Sequence, residues 1–146
     1  MIVLSRSKPR RVRVVVVDGD DRVLLAHRGR PGRARVWAPP AVPLDAGQDA
    51  VRAAAALLAR IGLPGTDPGP VAWRRRVKVA AGGELEDHRE ELFLVRTEHR
   101  PAPGEDARWF ALDELTAPHE PVYPRTLAAL VSQGPGPGAA PTTIGP

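Results

Sequence analysis

Apolar and polar positions along this chain alternate with period two in some stretches and recur with helical spacing in others, which predicts strands and helices in succession. Residues 11–29, RVRVVVVDGDDRVLLAHRG, set two β-rich runs on either side of an Asp-Gly pair, the strongest short signal for a hairpin. Residues 30–48, RPGRARVWAPPAVPLDAGQ, read as a loop, because Pro39, Pro40 and Pro43 cannot donate ladder hydrogen bonds and push their predecessors away from helix. DAVRAAAALLARIGLP then predicts a helix over Asp49–Ile61, with Asp49 as N-cap, Gly62 as C-cap and Pro64 barring continuation. Its apolar row Val51, Ala54, Leu58 and Ile61 should face a sheet.

Past the turn-rich PGTDPGP, residues 71–97 read as a second hairpin closed around Gly82 and Gly83. Alternation puts His88, Glu90, Leu92 and Leu94 on one face and Arg89, Glu91, Phe93 and Val95 on the other. RWFAL is a further short strand, Asp113 or Thr116 opens a small turn, and PRTLAALVSQG is a closing helix with Pro124 in its first turn and Gly134 after it. The expected organisation is an N-terminal arm over residues 1–10, one α/β domain over 11–133, and a disordered Pro/Gly-rich tail over 134–146.

A length of 146 residues, 42% hydrophobic, suits one compact domain. With no cysteine, disulfides and thiolate metal sites are excluded, and no apolar run approaches the roughly 20 residues of a membrane span. VVVV at Val14 to Val17 is bounded by Arg13 and Asp18. No signal-peptide run opens the chain, so a cytoplasmic protein with no membrane partner is expected. The net charge of +4 is uneven: residues 1–35 carry ten Lys and Arg against three Asp, while the rest carries eleven against fourteen Asp and Glu. Nineteen of the 21 basic residues are arginine, beside abundant Ala, Gly and Pro. A GC-rich genome produces that bias without functional demand, so a nucleic-acid partner is not expected.

The order β-β-loop-helix-β-β-β-helix, together with three further pieces, resembles the Nudix family of pyrophosphohydrolases. VVVVDGDDRVLLAHR is similar to its opening hairpin, VWAPPAVPLDAGQ to its Trp-x-Pro-Gly-Gly loop, and RWFALDELTAPHEPVYPRTLAALV to the C-terminal stretch of small bacterial members. The resemblance covers about residues 11–133 and implies an α/β/α sandwich around a mixed sheet; many relatives pair as homodimers, and the oligomeric state of this chain stays open. The family signature is G x5 E x7 R E U x E E x G U, with U a bulky aliphatic residue. Anchored on Gly62 and Leu63, it places Ala41 at the first glycine, Gly47 at the first glutamate, Ala55 and Ala56 at Arg-Glu, and Ala59 and Arg60 at the glutamate pair. No shift of register helps, because residues 50–60 contain no carboxylate.

In the family those helix glutamates hold Mg²⁺ or Mn²⁺, hard cations that take oxygen ligands, neutralise the diphosphate and activate water. Alanine offers such an ion nothing, and Arg60 would repel it. The resemblance therefore implies a Nudix-fold pseudoenzyme without a resident cofactor, one that binds a nucleotide or other phosphorylated ligand as a regulatory module. Its expected ligand contacts are Trp37 and Trp73 by stacking, and Arg52, Arg60 and Arg75 by charge. The alternative is a divergent Mg²⁺- or Mn²⁺-dependent hydrolase of nucleoside diphosphate derivatives, its ion held by Glu90, Glu91 and one of Asp45 or Asp49. A third class is a partner-binding domain with no small ligand. Substrate identity lies in loops and pocket walls that motifs do not encode.

Overall fold

The computed structural model describes residues 9–27, 35–81, 83–117, 119–135 and 141–145. Strand β1 (Arg10–Val17) and strand β2 (Val23–His27) form the opening hairpin, paired antiparallel at Val17 and Val23. The Asp18 carboxylate caps the turn, accepting from the Asp20 and Arg22 amides and from Arg100, while Asp21 takes the left-handed φ of 57°.

Part of the expected proline loop is sheet. Strand β3 (Trp37–Ala38) pairs with β2, and strand β4 (Ala41–Leu44) pairs with β1, placing Pro43 opposite Arg11. An edge strand tolerates proline because the missing N–H is not asked to donate to a neighbour. Residues 28–34 of that loop lie outside the described residues.

Helix α1 (Ala50–Arg60) has the expected cap, Asp49 Oδ1 accepting from the Val51 amide at 2.9 Å. Gly62 follows the C-cap Ile61 with a φ of 98°. The buried stripe is Ala54, Leu57 and Leu58, whereas Val51 is 41% exposed. The predicted row was displaced by part of a turn, so Leu57 enters the core and Val51 marks the stripe's margin.

Strands β5 (Trp73–Ala81) and β6 (Glu84–Arg96) form the long second hairpin, with Gly83 at φ 81° in its turn; Gly82 is outside the described residues. Strand β7 (Ala107–Phe110) pairs with β2. Helix α2 (Leu112–Thr116) is capped at Ala111, not at Asp113 or Thr116, with the Glu114 carboxylate accepting from the Ala111 amide. Helix α3 (Leu127–Gln133) begins after Thr126, so Pro124 precedes it rather than sitting in its first turn; the Tyr123–Pro124 peptide is cis. Within the stretch expected to be a disordered tail, strand β8 (Thr142–Ile144) runs parallel to β5, three β-branched residues together outweighing the flanking glycine and proline. Residues 136–140 are not described.

The sheet runs β3-β2-β1-β6-β5-β8, with β4 on β1 and β7 on β2. Pairing is parallel between β1 and β6 and between β5 and β8, and antiparallel elsewhere, so the sheet is mixed as expected. Alternate residues of β1 feed two cores. Val15 and Val17 join Trp73, Leu92 and Phe110 beneath Leu115, Leu127 and Val131 of α2 and α3. Val12, Val14 and Val16 join Phe93 and Val95 beneath Ala54, Leu57 and Leu58 of α1. Helices on both faces make the α/β/α sandwich.

Candidate functional site

Where α2 and α3 cease to cover the first face, β1, β6 and β5 present charge in place of valine and leucine. The pairing register sets Arg11 beside Glu90 and Glu90 beside Arg75, and Arg13 lies two residues from Arg11 on the same face. Glu90 is 3% exposed; its carboxylate accepts from Arg13 Nε at 2.6 Å and from Arg75 Nη1 at 2.7 Å. Arg11 Nη1 stands 3.9 Å away, and Arg13 Nη1 donates to the Pro39 carbonyl at 2.7 Å. Burial alone would raise the Glu90 pKa, but attraction to Arg13 and Arg75 and their hydrogen bonds outweigh it and hold it below 4.5. Burial lowers the Arg13 pKa, and Glu90 only partly restores it. Arg75, 5% exposed, leaves its Nε buried with no acceptor.

Around this clamp lies a cleft of about 600 Å³ bordered by Arg11, Arg75, Lys78, His88, Tyr123 and Arg125. A second hollow of about 400 Å³ shares Arg11 and Arg13 and ends at His27, whose Nδ1 is buried without a partner. The whole is a strongly cationic recess whose lone buried carboxylate is already engaged.

The other predicted residues are distributed differently. Glu90 and Glu91 are neighbours in one strand and face opposite sides of the sheet; Glu91 accepts from Arg10 at 2.6 Å on the α1 side. They cannot share an ion. Gly47, at φ 81°, lies in the turn before α1, beside a hollow that includes Asp45. Ala55 is half-buried, while Arg52, Ala56, Ala59 and Arg60 are exposed along α1. Trp73 is 1% exposed and wholly in the core, so it presents no face for stacking. Trp37 is also buried, edge-on to His27 at 4.6 Å and to Phe110 at 5.0 Å, with Nε1 donating to Glu120 at 3.3 Å. Of the expected ligand residues, only Arg75 joins the cleft. Among the described residues, no three His, Asp or Glu side chains converge as a metal site.

Sequence reasoning passed over Arg11, Arg13 and Arg125. A signal existed for the first two: RVRV alternation aligns them on one strand face. That this face meets Glu90 depends on the parallel pairing of β1 with β6, which no local pattern announces.

No protein-family model matches the chain, and no curated protein does. Solved structures do. A MutT protein from Methanosarcina mazei superposes with a TM-score of 0.64 at 13% identity, covering 88% of this chain and 95% of its own. A mutator MutT protein from Bacillus halodurans gives 0.62 at 16% identity over 94% and 89%, and a NUDIX hydrolase from Nitrosomonas europaea gives 0.60 at 18% identity over 87% and 87%. At these identities the likeness establishes the architecture: the chain has the Nudix fold.

Proposed function

We propose that this Nudix-fold domain binds a nucleotide or another small phosphorylated ligand in the arginine cleft and does not hydrolyse it through a bound metal. The observation that carries the reading is the Glu90 clamp. The strand carboxylate best placed to serve an ion is buried and already neutralised by Arg13 and Arg75. On α1 the signature's glutamate positions hold Ala56, Ala59 and Arg60, none of which is an oxygen donor for Mg²⁺ or Mn²⁺. The residues present do not fit the family's metal.

What they fit is an oxyanion. Arg11 and Arg125 have guanidinium donors free to approach a ligand in the cleft, and a charge-assisted hydrogen bond is about twice as strong as a neutral one. The buried Nε of Arg75 is a donor awaiting an acceptor. In this reading, arginines take the phosphates directly, supplying charge neutralisation but no activated water.

The hydrolase alternative needs Glu90, Glu91 and Asp45 or Asp49 to converge. Glu90 and Glu91 point to opposite faces, and the Asp49 carboxylate caps α1. The discriminating experiment is calorimetry with nucleoside mono-, di- and triphosphates in EDTA, paired with a turnover screen in Mg²⁺ and Mn²⁺. Saturable binding, weakened at least tenfold in Arg11→Gln/Arg125→Gln, without turnover is the expected result. Brisk metal-dependent cleavage abolished by Glu90→Gln would overturn the proposal, and absence of heat with every nucleotide would favour a partner-binding domain.

A further inference from the structure

The WRRRVK segment divides its charge between the two faces of the sheet. Arg75 enters the Glu90 clamp, while Arg74 and Arg76 emerge on the α1 side, beyond the end of the helix. There the register produces an unusual row: Arg10 of β1 lies beside Arg89 of β6, which lies opposite Arg76 of β5. Three arginines thus stand abreast on adjacent strands, whose spacing is about 4.8 Å. Like charges directly opposite in a sheet are destabilising. Among the described residues, the side chains of Arg74, Arg76 and Arg89 have no ion-pair or hydrogen-bond partner, while on this face Glu91 is taken by Arg10 and Asp87 lies 3.8 Å from Lys78.

The row borders a concavity of about 750 Å³, with Arg10, Arg74, Arg76, Arg89, Glu91 and Thr143 on its walls together with Arg75 and Glu90, whose side chains are bonded to each other in the clamp. This volume falls within the range of roughly 300–1,000 Å³ that small-molecule sites occupy. No aromatic ring lines it, so neither a base nor a sugar finds a stacking surface, and recognition must rest on charge. A genome's arginine bias explains how many arginines the chain has. It does not explain why three share one cross-strand row in which only Arg10 has a carboxylate partner.

We infer that this recess is a second anion site, which shares Arg75 and Glu90 with the cleft but neither Arg11 nor Arg125, and that it takes a compact oligophosphate through Arg74, Arg76 and Arg89. Bidentate guanidinium contacts match phosphate oxygens, and the ligand's charge relieves the repulsion the row stores. Recognition is of the phosphate chain itself, because nothing in the walls reads a nucleobase.

Inorganic tripolyphosphate is the probe. The titration uses the full chain carrying Arg11→Gln/Arg125→Gln, which keeps the opposite cleft out of the measurement. Calorimetry should show saturable binding, and adding Arg76→Gln/Arg89→Gln should weaken it at least tenfold. The same two changes, made in the otherwise unaltered chain without ligand, should raise the melting temperature, as expected for arginines kept at the expense of stability. In the unaltered chain, tripolyphosphate should shift the side-chain Nε–Hε resonances of Arg74, Arg76 and Arg89, a readout that needs no variant to fold. Equal affinity with and without Arg76 and Arg89, or no shift of those resonances, would overturn the inference. So would affinity confined to a single-stranded oligonucleotide or to phosphatidylserine vesicles. Nucleotide binding in the cleft depends on Arg11 and Arg125, so either site can fail while the other stands.

Discussion

A carboxylate buried between two guanidiniums is stable only while all three charges are in place, because removing one strands the others without solvent. Glu90→Ala would leave Arg13 and Arg75 facing each other across a void, with an expected loss of about 3–5 kcal/mol, as for breaking a buried pair. The check is the denaturant midpoint, which should fall at unchanged slope. The pKa of Glu90 is held down in the folded protein, as is that of Asp18, where burial is outweighed by the amides of Arg22 and Asp20 and by Arg100. Each therefore contributes stability that is complete above its ordinary value, 4.5 for Glu90 and 3.8 for Asp18, and is lost as pH falls through the lowered folded value. Acid unfolding should begin below about pH 5 by this linkage, and should be blunted in an already destabilised Glu90→Gln protein.

Helix α1 separates residues that pack from residues that only favour a helix. Ala54, Leu57 and Leu58 seat it on the sheet, each leucine contributing about 1.5–3 kcal/mol by burial. Ala56 and Ala59 face solvent, so they serve the helix through its propensity and not through packing. Ala56→Glu/Ala59→Glu is accordingly expected to change stability by less than about 0.5 kcal/mol per site. The contrast is Gly62 just past the helix, at a φ of 98° with space for a Cβ only 2.8 Å from the Pro101 Cβ. Strain and overlap act together there, and Gly62→Ala should cost about 1–3 kcal/mol. Thermal melts of the two proteins side by side separate a backbone requirement from a merely favourable composition.

Across the whole molecule, β5, like β1 and β6, contributes to both proposed anion sites, with Arg75 on one face and Arg74 and Arg76 on the other. Its outer edge is covered by β8, and Thr143 contributes a wall of the oligophosphate recess. A chain ended at Gly134 would expose the ladder groups of β5 to water. Amide exchange in residues 73–75 should then accelerate by an order of magnitude or more while β1, paired on both sides, keeps its protection. Tripolyphosphate affinity should fall in the same protein, and cleft binding of nucleotides should not.

Local chemistry made several features legible from the amino acids alone. Asp-Gly between apolar runs requires a hairpin, Asp49 and Gly62 bound the alanine helix, and the absence of any carboxylate from residues 50–60 holds in every register. Alternation also assigned Glu90 and Glu91 to opposite faces, although they were still grouped as one weak ion site. Prolines hid β4, since an edge strand accepts what a central one rejects, and β8 was hidden by the glycines and prolines beside it. Stacking by Trp37 and Trp73 was an expectation that burial removed, because side-chain type does not reveal which rings the sheet covers. Sequence determined which charges the chain possesses and which side of its own strand each one takes. Only the tertiary structure, by laying β1 parallel to β6 and β5 against it, decided that Arg13 and Arg75 meet Glu90 while Arg10, Arg89 and Arg76 meet one another. Register between distant strands is set by the summed burial of both faces, a global quantity that no single stretch of residues carries.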